Sequence, residues 1–151
     1  MSFYTELLSK LRSDIKELKL QRKKLKDHQL SMLDFIEGKK RYSQYIFDGE
    51  ILQLSRGNEK YGFEHILINH YSPNANGKLL AREVVNIWML LERGQKVTDF
   101  EQESKGNFAY RLFKSHNGAE IRLTLVNFQD GIIKKVLSYY SDREQEKGDL
   151  S

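Results

Sequence analysis

The hydrophobic positions of the first 37 residues recur every three or four residues, which is the pattern of one face of an α-helix. The stripe comprises Phe3, Leu7, Leu11, Ile15 and Leu18, and it continues less regularly through Leu25, Leu33 and Ile36. Ser2 is a suitable N-cap, and Gly38 follows the last apolar residue. The pattern predicts one long amphipathic helix over residues 3–37, whose stripe packs against the rest of the chain or pairs with a second chain.

The period of the pattern changes in the middle of the chain. Two apolar runs, at 45–47 and 51–54, flank Asp48-Gly49. An Asp-Gly pair in this position favours a β-hairpin, because glycine accepts the positive φ of a tight turn. Further along, the pattern predicts a short helix at 61–70, a loop at 72–77 and a second helix from Leu79 to Leu91 that ends at Gly94.

The last third of the chain alternates apolar and polar residues, as strands do when one sheet face is buried. Asn117-Gly118 and Asp130-Gly131 separate the predicted strands at 107–112, 121–126 and 132–140. The sequence therefore predicts an α+β protein with a long N-terminal helix, a hairpin, short helices and an antiparallel sheet. Its predicted organisation is a basic helical arm at 1–44, an α+β body at 45–141 and a polar tail at 142–151.

The positive charge is concentrated in the N-terminal part. The 151 residues carry a net charge of +4, with 11 basic and 6 acidic side chains in residues 1–44 against 14 and 15 in residues 45–151. Cysteine is absent, which excludes disulfides, thiolate metal sites and a cysteine nucleophile. We expect no membrane segment and a cytoplasmic location, because no apolar run is long enough to span a bilayer and the N-terminus lacks a signal-peptide pattern.

The densest positive charge forms what we call the N-terminal basic cluster. It consists of Arg22, Lys23, Lys24 and Lys26. Such a cluster can bind the phosphate backbone of RNA without reading its sequence. The competing interpretation is a solvated helix face, because Asp14, Glu17 and Asp27 lie among the cations.

Candidate catalytic residues lie in the predicted body. His65 and His70 are five residues apart in one short helix, about 140° around its axis, and this is not the spacing of a helical metal site. The strands contribute polar residues at otherwise apolar positions: Arg111, Arg122, Thr124 and Ser138. The competing interpretation is structural, with hydrogen-bonded histidines and the solvent face of a half-buried sheet.

The sequence contains no phosphate-binding glycine loop, no serine-hydrolase elbow and no carboxylate cluster for two metals. Metal-independent cleavage of RNA remains compatible with the residues present, because the 2′-hydroxyl is an internal nucleophile. This chemistry needs a base, an acid and cations for the phosphorane, and histidine, arginine and hydroxyl side chains can supply them. We therefore expect neither a metal nor a cofactor.

The run from Tyr61 to His70, YGFEHILINH, resembles the glycine–hydrophobic–x–His–Ile–x–x–x–His helix of nucleases from phages and mobile elements. These nucleases belong to the barnase/EndoU/colicin/RelE-like superfamily. The resemblance covers about residues 45–141, including the later strands and their Ser138-Tyr139-Tyr140 ending. The resemblance implies a metal-independent endoribonuclease carried on a sheet, used as a toxin or as part of a phage protein.

The resemblance also implies roles for individual residues. His65 would be the general base or acid, with His70 as the second candidate. Arg111 and Arg122 would neutralise the phosphorane, and Thr124 and Ser138 would donate hydrogen bonds to phosphate oxygens. Tyr139 or Tyr140 would stack on a base. Residues 45–151 depart from a basic ribonuclease in their net charge of −1, so RNA binding would depend on local cations or on the N-terminal arm. An inactive member of the superfamily that only binds is the alternative.

A different class of function remains open at this point. The long N-terminal helix could be the working part of a non-catalytic interaction or scaffold protein, for example as the interface of a homodimer. If the chain is a toxin, its partner would be a cognate antitoxin or immunity protein.

Overall fold

The computed structural model describes residues 2–97, 107–112, 120–127 and 133–143. Five helices cover Phe3–Glu17 (α1), Asp27–Ile36 (α2), Gly62–His70 (α3), Ala81–Val85 (α4) and Met89–Arg93 (α5). Six strands cover Tyr42–Phe47 (β1), Glu50–Ser55 (β2), Gln95–Val97 (β3), Asn107–Leu112 (β4), Ile121–Asn127 (β5) and Ile133–Ser141 (β6). The predicted α+β class with an N-terminal helix is confirmed.

The prediction of one helix over residues 3–37 was wrong. The helix α1 ends at Glu17, Lys19 takes a left-handed conformation with φ of 54°, and a short 3₁₀ turn at Arg22–Lys24 leads into α2. A single helix of that length would extend about 50 Å, well beyond the diameter of a domain of this size. Folding the segment back on itself lets both halves of the apolar stripe reach the core.

The middle of the predicted stripe packs against the body, whereas Phe3 at its start is 50% exposed. Leu7 and Leu11 are buried, and Ile15 is partly buried against the same core. That core also contains residues of α2, α3, α4, α5 and the sheet. The predicted boundary between arm and body at residue 44 falls inside β1. Residues on both sides of this boundary belong to one hydrophobic core.

The hairpin between β1 and β2 agrees with its sequence signal. Asp48 and Gly49 have φ values of 53° and 78°, as a type I′ turn requires at both central positions. Tyr42 pairs with Ser55 and Phe47 with Glu50, so the two strands are in register over their full length.

The second predicted helix is interrupted and becomes α4 and α5. The Asn86 side chain donates to the Arg82 carbonyl (2.9 Å), and the Asn86 carbonyl accepts from the Met89 amide (3.0 Å). Asparagine competes with helical hydrogen bonding in this way. The break brings Trp88, whose side chain is fully buried, into the core.

The three predicted C-terminal strands form, but as part of a larger sheet. The strand order is β1-β2-β6-β5-β4-β3, and every neighbouring pair is antiparallel except β2 and β6, which are parallel. The sequence analysis missed β3 and the parallel pairing, because a parallel contact joins segments far apart in the chain and has no local signal. The predicted turns at 117–118 and 130–131 lie outside the described residues.

The two faces of the sheet differ. One, which we call the covered face, packs against helices through Leu52, Leu54, Leu123, Leu125 and Tyr139. The other, which we call the open face, carries Tyr42, Gln44, Gln53, Arg122, Thr124, Ser138 and Tyr140 by strand alternation and register. Among the described residues, no helix is both long enough and apolar enough to cross a membrane.

Candidate functional site

Six polar and aromatic side chains meet where α3 packs beside β6. We call them the open-face cluster: His65, His70, Arg122, Thr124, Ser138 and Tyr140. The two histidines come from α3, and the other four residues come from the paired strands β5 and β6. The structure therefore brings together one helix and two strands that lie about 50 to 75 residues apart in the chain.

His65 connects the helix to the sheet. Its Nε2 lies 3.1 Å from Ser138 Oγ, while its Nδ1 lies 3.0 Å from the Glu59 carbonyl and 3.0 Å from the Asn69 side-chain amide. The carbonyl accepts a proton from Nδ1 and the amide donates one to it, so Nδ1 has a partner in either neutral tautomer. The ring is thus held with Nε2 toward the open face.

His70 lies one and a half turns further along α3, and its ring still contacts the ring of His65. The ring centroids are 5.6 Å apart in an edge-to-face arrangement, and His70 also stacks on Tyr140 at 5.1 Å. Its Nδ1 donates to the Asn76 carbonyl (2.9 Å), which leaves Nε2 as the unprotonated nitrogen of the neutral ring. Both histidines therefore have a backbone carbonyl at Nδ1.

The environment of His70 favours its neutral form. Burial lowers its pKa below the usual 6.5; the hydrogen bond to Asn76 acts in the opposite direction, and the charge of nearby His65 lowers the pKa again. Two histidines in contact resist simultaneous protonation, because the second charge must form beside the first. The lowered pKa of His70 therefore favours its neutral ring.

Arg122 supplies the positive charge of the cluster. Its Nη2 donates to Glu120 (3.0 Å), and it hydrogen-bonds to Tyr140, which is its register partner on β6. Burial lowers the pKa of Arg122, but the bonds to Glu120 and Tyr140 outweigh this and raise it. Within the described part of the chain, its Nε is buried without a hydrogen-bond partner. The guanidinium keeps a donor that no described protein group uses.

A β-bulge in β6 sets which side chains reach this site. Thr124 pairs with Ser138 and Leu125 pairs with Val136, so Leu137 is an extra residue between them. The bulge places Ser138 on the open face although Val136, two residues earlier, points into the core. Without it, the alternation of side chains would turn Ser138 or Val136 to the wrong face.

Tyr139 does not belong to the cluster, which corrects its predicted role in stacking on RNA. Its side chain is 3% exposed on the covered face, and its hydroxyl donates to the Glu83 carbonyl (2.9 Å). Tyr140, the next residue, is half-buried on the open face and is the tyrosine that contacts His70 and Arg122.

The other predicted residues lie apart from the cluster or are only partly placed. In the register of β4 and β5, Arg111 is the partner of Arg122. The N-terminal basic cluster is exposed on the connection between α1 and α2, among the helices. Arg22 in that cluster donates to Asp34 (2.8 Å) and lies 3.8 Å from Glu37. The structure therefore does not bring this cluster to the histidines.

Sequence reasoning missed two residues that organise the cluster. Asn69 bridges the ring Nδ1 and the backbone carbonyl of His65, and its position four residues after His65 on a helix is a detectable signal. Glu120, which pairs with Arg122, precedes β5 and lacked any pattern that marked it. Among the described residues, no group of three or more histidine, aspartate or glutamate side chains is arranged to hold a metal ion.

Comparisons with protein-family models, with curated proteins and with solved structures gave no match for this chain.

Proposed function

We propose that the protein is a metal-independent endoribonuclease that cleaves RNA by attack of the 2′-hydroxyl on the adjacent phosphate. One observation carries this proposal: the contact between His65 and His70 beside Arg122 on the open face. Such cleavage needs a base, an acid and a cation at one phosphate, and the cluster contains these three kinds of group.

The hydrogen bonds and the pKa direction support different roles for the two histidines. His70 has a lowered pKa and presents an unprotonated Nε2, so it fits the base that takes the proton of the 2′-hydroxyl. His65 is then assigned the acid that returns a proton to the leaving 5′-oxygen, since its Nε2 is directed toward the open face beside Ser138. Titratable groups whose environments differ commonly divide these roles in this way.

The strand residues fit the phosphate. Among the described residues, the buried Nε of Arg122 has no partner, and Arg122 lies two residues from Thr124, which pairs with Ser138. A guanidinium with hydroxyl donors matches the oxygens of a phosphorane. Arg111, the register partner of Arg122, would add a second cation, as the resemblance implies. Tyr140 offers an aromatic ring beside His70 on which a base can stack.

The resemblance noted in the sequence also suggests a biological role. It favours a toxin or a phage or mobile-element protein that acts on cytoplasmic RNA and, if a toxin, is held by an antitoxin or immunity protein. The competing scaffold interpretation requires an apolar helix face free for a partner. The helix α1 instead buries Leu7 and Leu11 inside the chain.

The test is cleavage of a single-stranded RNA in the presence and absence of a chelator. We expect cleavage in both conditions, 2′,3′-cyclic phosphate ends, and no cleavage of the matching DNA, which lacks the nucleophile. The variants His65→Ala and His70→Ala should each cleave about 10²–10⁴-fold more slowly. Thermal unfolding of each variant separates loss of chemistry from loss of fold.

A pair of arginine variants provides the matched control. Arg122→Ala should slow cleavage strongly, whereas Arg82→Ala, at an exposed position of α4, should leave it unchanged. The proposal is wrong if the purified wild-type protein leaves all RNA substrates intact, or if chelation abolishes cleavage.

A further inference from the structure

We propose that the corner of the sheet where β1 begins is a docking surface for single-stranded RNA that extends from the open-face cluster. We call this surface the β1 corner, and it consists of Lys39, Lys40, Arg41, Tyr42 and Gln44. The inference rests on the proposed function, since it names where the substrate of that site continues.

The sheet register places the β1 corner at the same end of the sheet as the cluster. The parallel pairing joins Gln53 of β2 to Lys135 of β6, and both strands then run toward Ser55 and Ser138. Tyr42 pairs with Ser55, so it lies at that same end, two strands from β6. At about 4.8 Å per strand this is about 10 Å, or about three nucleotides of a stacked strand.

The side chains of the β1 corner suit a single strand. All five are exposed, and Tyr42 is 45% exposed although it is a large aromatic residue. Tyr42 and Gln44 point to the open face, because Ser43 between them is fully buried against the helices. An exposed aromatic ring can stack on a base, an amide can bond to a base edge, and the three cations can neutralise phosphates.

The surface also supplies the charge that the body lacks. Residues 45–151 have one more acidic than basic side chain, so phosphates beyond the cluster need cations from elsewhere. The N-terminal basic cluster lies among the helices, and its Arg22 is engaged with Asp34. The β1 corner carries three cations, of which Lys39 lies 3.2 Å from Glu37, and it adjoins the open face where the scissile phosphate would lie.

The experiment measures binding of a fluorescent single-stranded RNA of twelve nucleotides in which every 2′-hydroxyl is methylated. This probe has no nucleophile, so it reports docking independently of cleavage. The variant Lys39→Ala/Lys40→Ala/Arg41→Ala should weaken binding at least about tenfold and reduce the slope of log affinity against log salt by about 2. Tyr42→Ala should weaken binding at least about fivefold, as loss of one stacked base does.

Two matched controls locate the effect. The variant Lys10→Ala/Lys16→Ala/Arg82→Ala removes three exposed cations from the helices α1 and α4 and should change the affinity less than twofold. Phe3→Ala removes another exposed aromatic ring, 50% exposed on α1, and should have no effect. Equal losses in both triple variants would mean that net charge alone drives binding, and the proposal would be overturned.

Further outcomes identify other occupants. If polyglutamate of equal charge competes as well as unlabelled RNA, the β1 corner is a site for an acidic protein, and the proposal is wrong. A dimer that the β1-corner triple variant dissociates would assign the surface to a second copy and also overturn the proposal. If the protein does not cleave RNA but binds the probe and loses affinity in the β1-corner triple variant, only the proposed ribonuclease activity is wrong. If the protein cleaves RNA but the β1-corner triple variant binds the probe as tightly as the wild type, only the proposed docking surface is wrong.

Discussion

The covered face and the open face of the sheet differ in the kinds of polar group that they hold. On the covered face, the Trp88 indole donates to Ser43 (2.8 Å), and the Tyr139 hydroxyl donates to the Glu83 carbonyl (2.9 Å). On the open face, Ser138 contacts His65 (3.1 Å) and Arg122 donates to Glu120 (3.0 Å). Polar groups of both faces therefore bond to protein, and the open face differs because it places two histidines beside an arginine, which is the arrangement that the proposed function uses.

The largest expected effect is on the covered face. Trp88→Ala removes the largest fully buried side chain and leaves Ser43 without its indole donor, so the free energy of unfolding should fall by about 3–5 kcal/mol. Urea unfolding measures this change. A loss below about 1 kcal/mol would show that the covered face does not carry the stability of the fold.

The next effect tests the loop that supports the open face. Gly77 has φ of 64°, and a Cβ there would lie 2.9 Å from the Ser141 carbonyl and 3.1 Å from His70 Nδ1. Gly77→Ala should therefore cost about 1–3 kcal/mol of stability and displace the His70 ring. Unfolding and the NMR shifts of the His70 ring check the two parts. If the variant is destabilised but the NMR shifts of the His70 ring do not change, the loop at Gly77 does not position this ring.

Acidification should lower the free energy of unfolding through one histidine near each face of the sheet. His28, 8% exposed near the covered face, and His70 on the open face both have a pKa lowered chiefly by burial. Just below pH 6.5, these two histidines therefore bind more protons in the unfolded chain than in the folded chain. The free energy of unfolding should be flat above about pH 7 and fall as the pH decreases through 6.5, by up to about 1.4 kcal/mol per pH unit for each histidine.

Urea unfolding between pH 8 and pH 5 tests this pH dependence. The variants His28→Gln and His70→Gln should each reduce its slope, since each removes one group that titrates differently in the two states. If neither variant changes the slope, the acid sensitivity has another origin.

The smallest effect comes from two neighbouring tyrosines on opposite faces. Tyr139→Phe removes the donor to a buried carbonyl and should cost about 0.5–1.5 kcal/mol. Tyr140→Phe keeps the ring that stacks on His70, so it should change stability by less. It removes the hydroxyl that hydrogen-bonds to Arg122. Thermal unfolding compares the pair, and a larger loss for Tyr140→Phe would reverse our assignment of the two faces.

Several features were predictable because their signals are local. The Asp48-Gly49 turn follows from the φ values that only a few residues tolerate, and the stripe of α1 follows from helical periodicity. The residue types of the open-face cluster were also recognisable, since polar side chains interrupt apolar strands. The chemical roles of those residues stay predictions that the experiments above address.

Other features escaped prediction because they depend on contacts across the chain. The break between α1 and α2 has no glycine or proline to mark it, and the chain turns there because both helices must reach one core. The parallel pairing of β2 with β6 joins residues about 80 positions apart. The choice between Tyr139 and Tyr140 depends on the bulge at Leu137, which alternation alone does not reveal.

The sequence by itself determined the α+β class, the hairpin, the strands of the C-terminal part and the set of polar residues available for chemistry, since these follow from short-range periodicity and turn preferences. The tertiary structure alone decided that α1 folds back, that α3 lies beside β6, and that His65 meets Ser138 while the N-terminal basic cluster lies elsewhere. These outcomes depend on which arrangement of helices and strands buries the most apolar surface while every strand stays in register. Burial and register depend on contacts between distant segments, so they are properties of the whole chain.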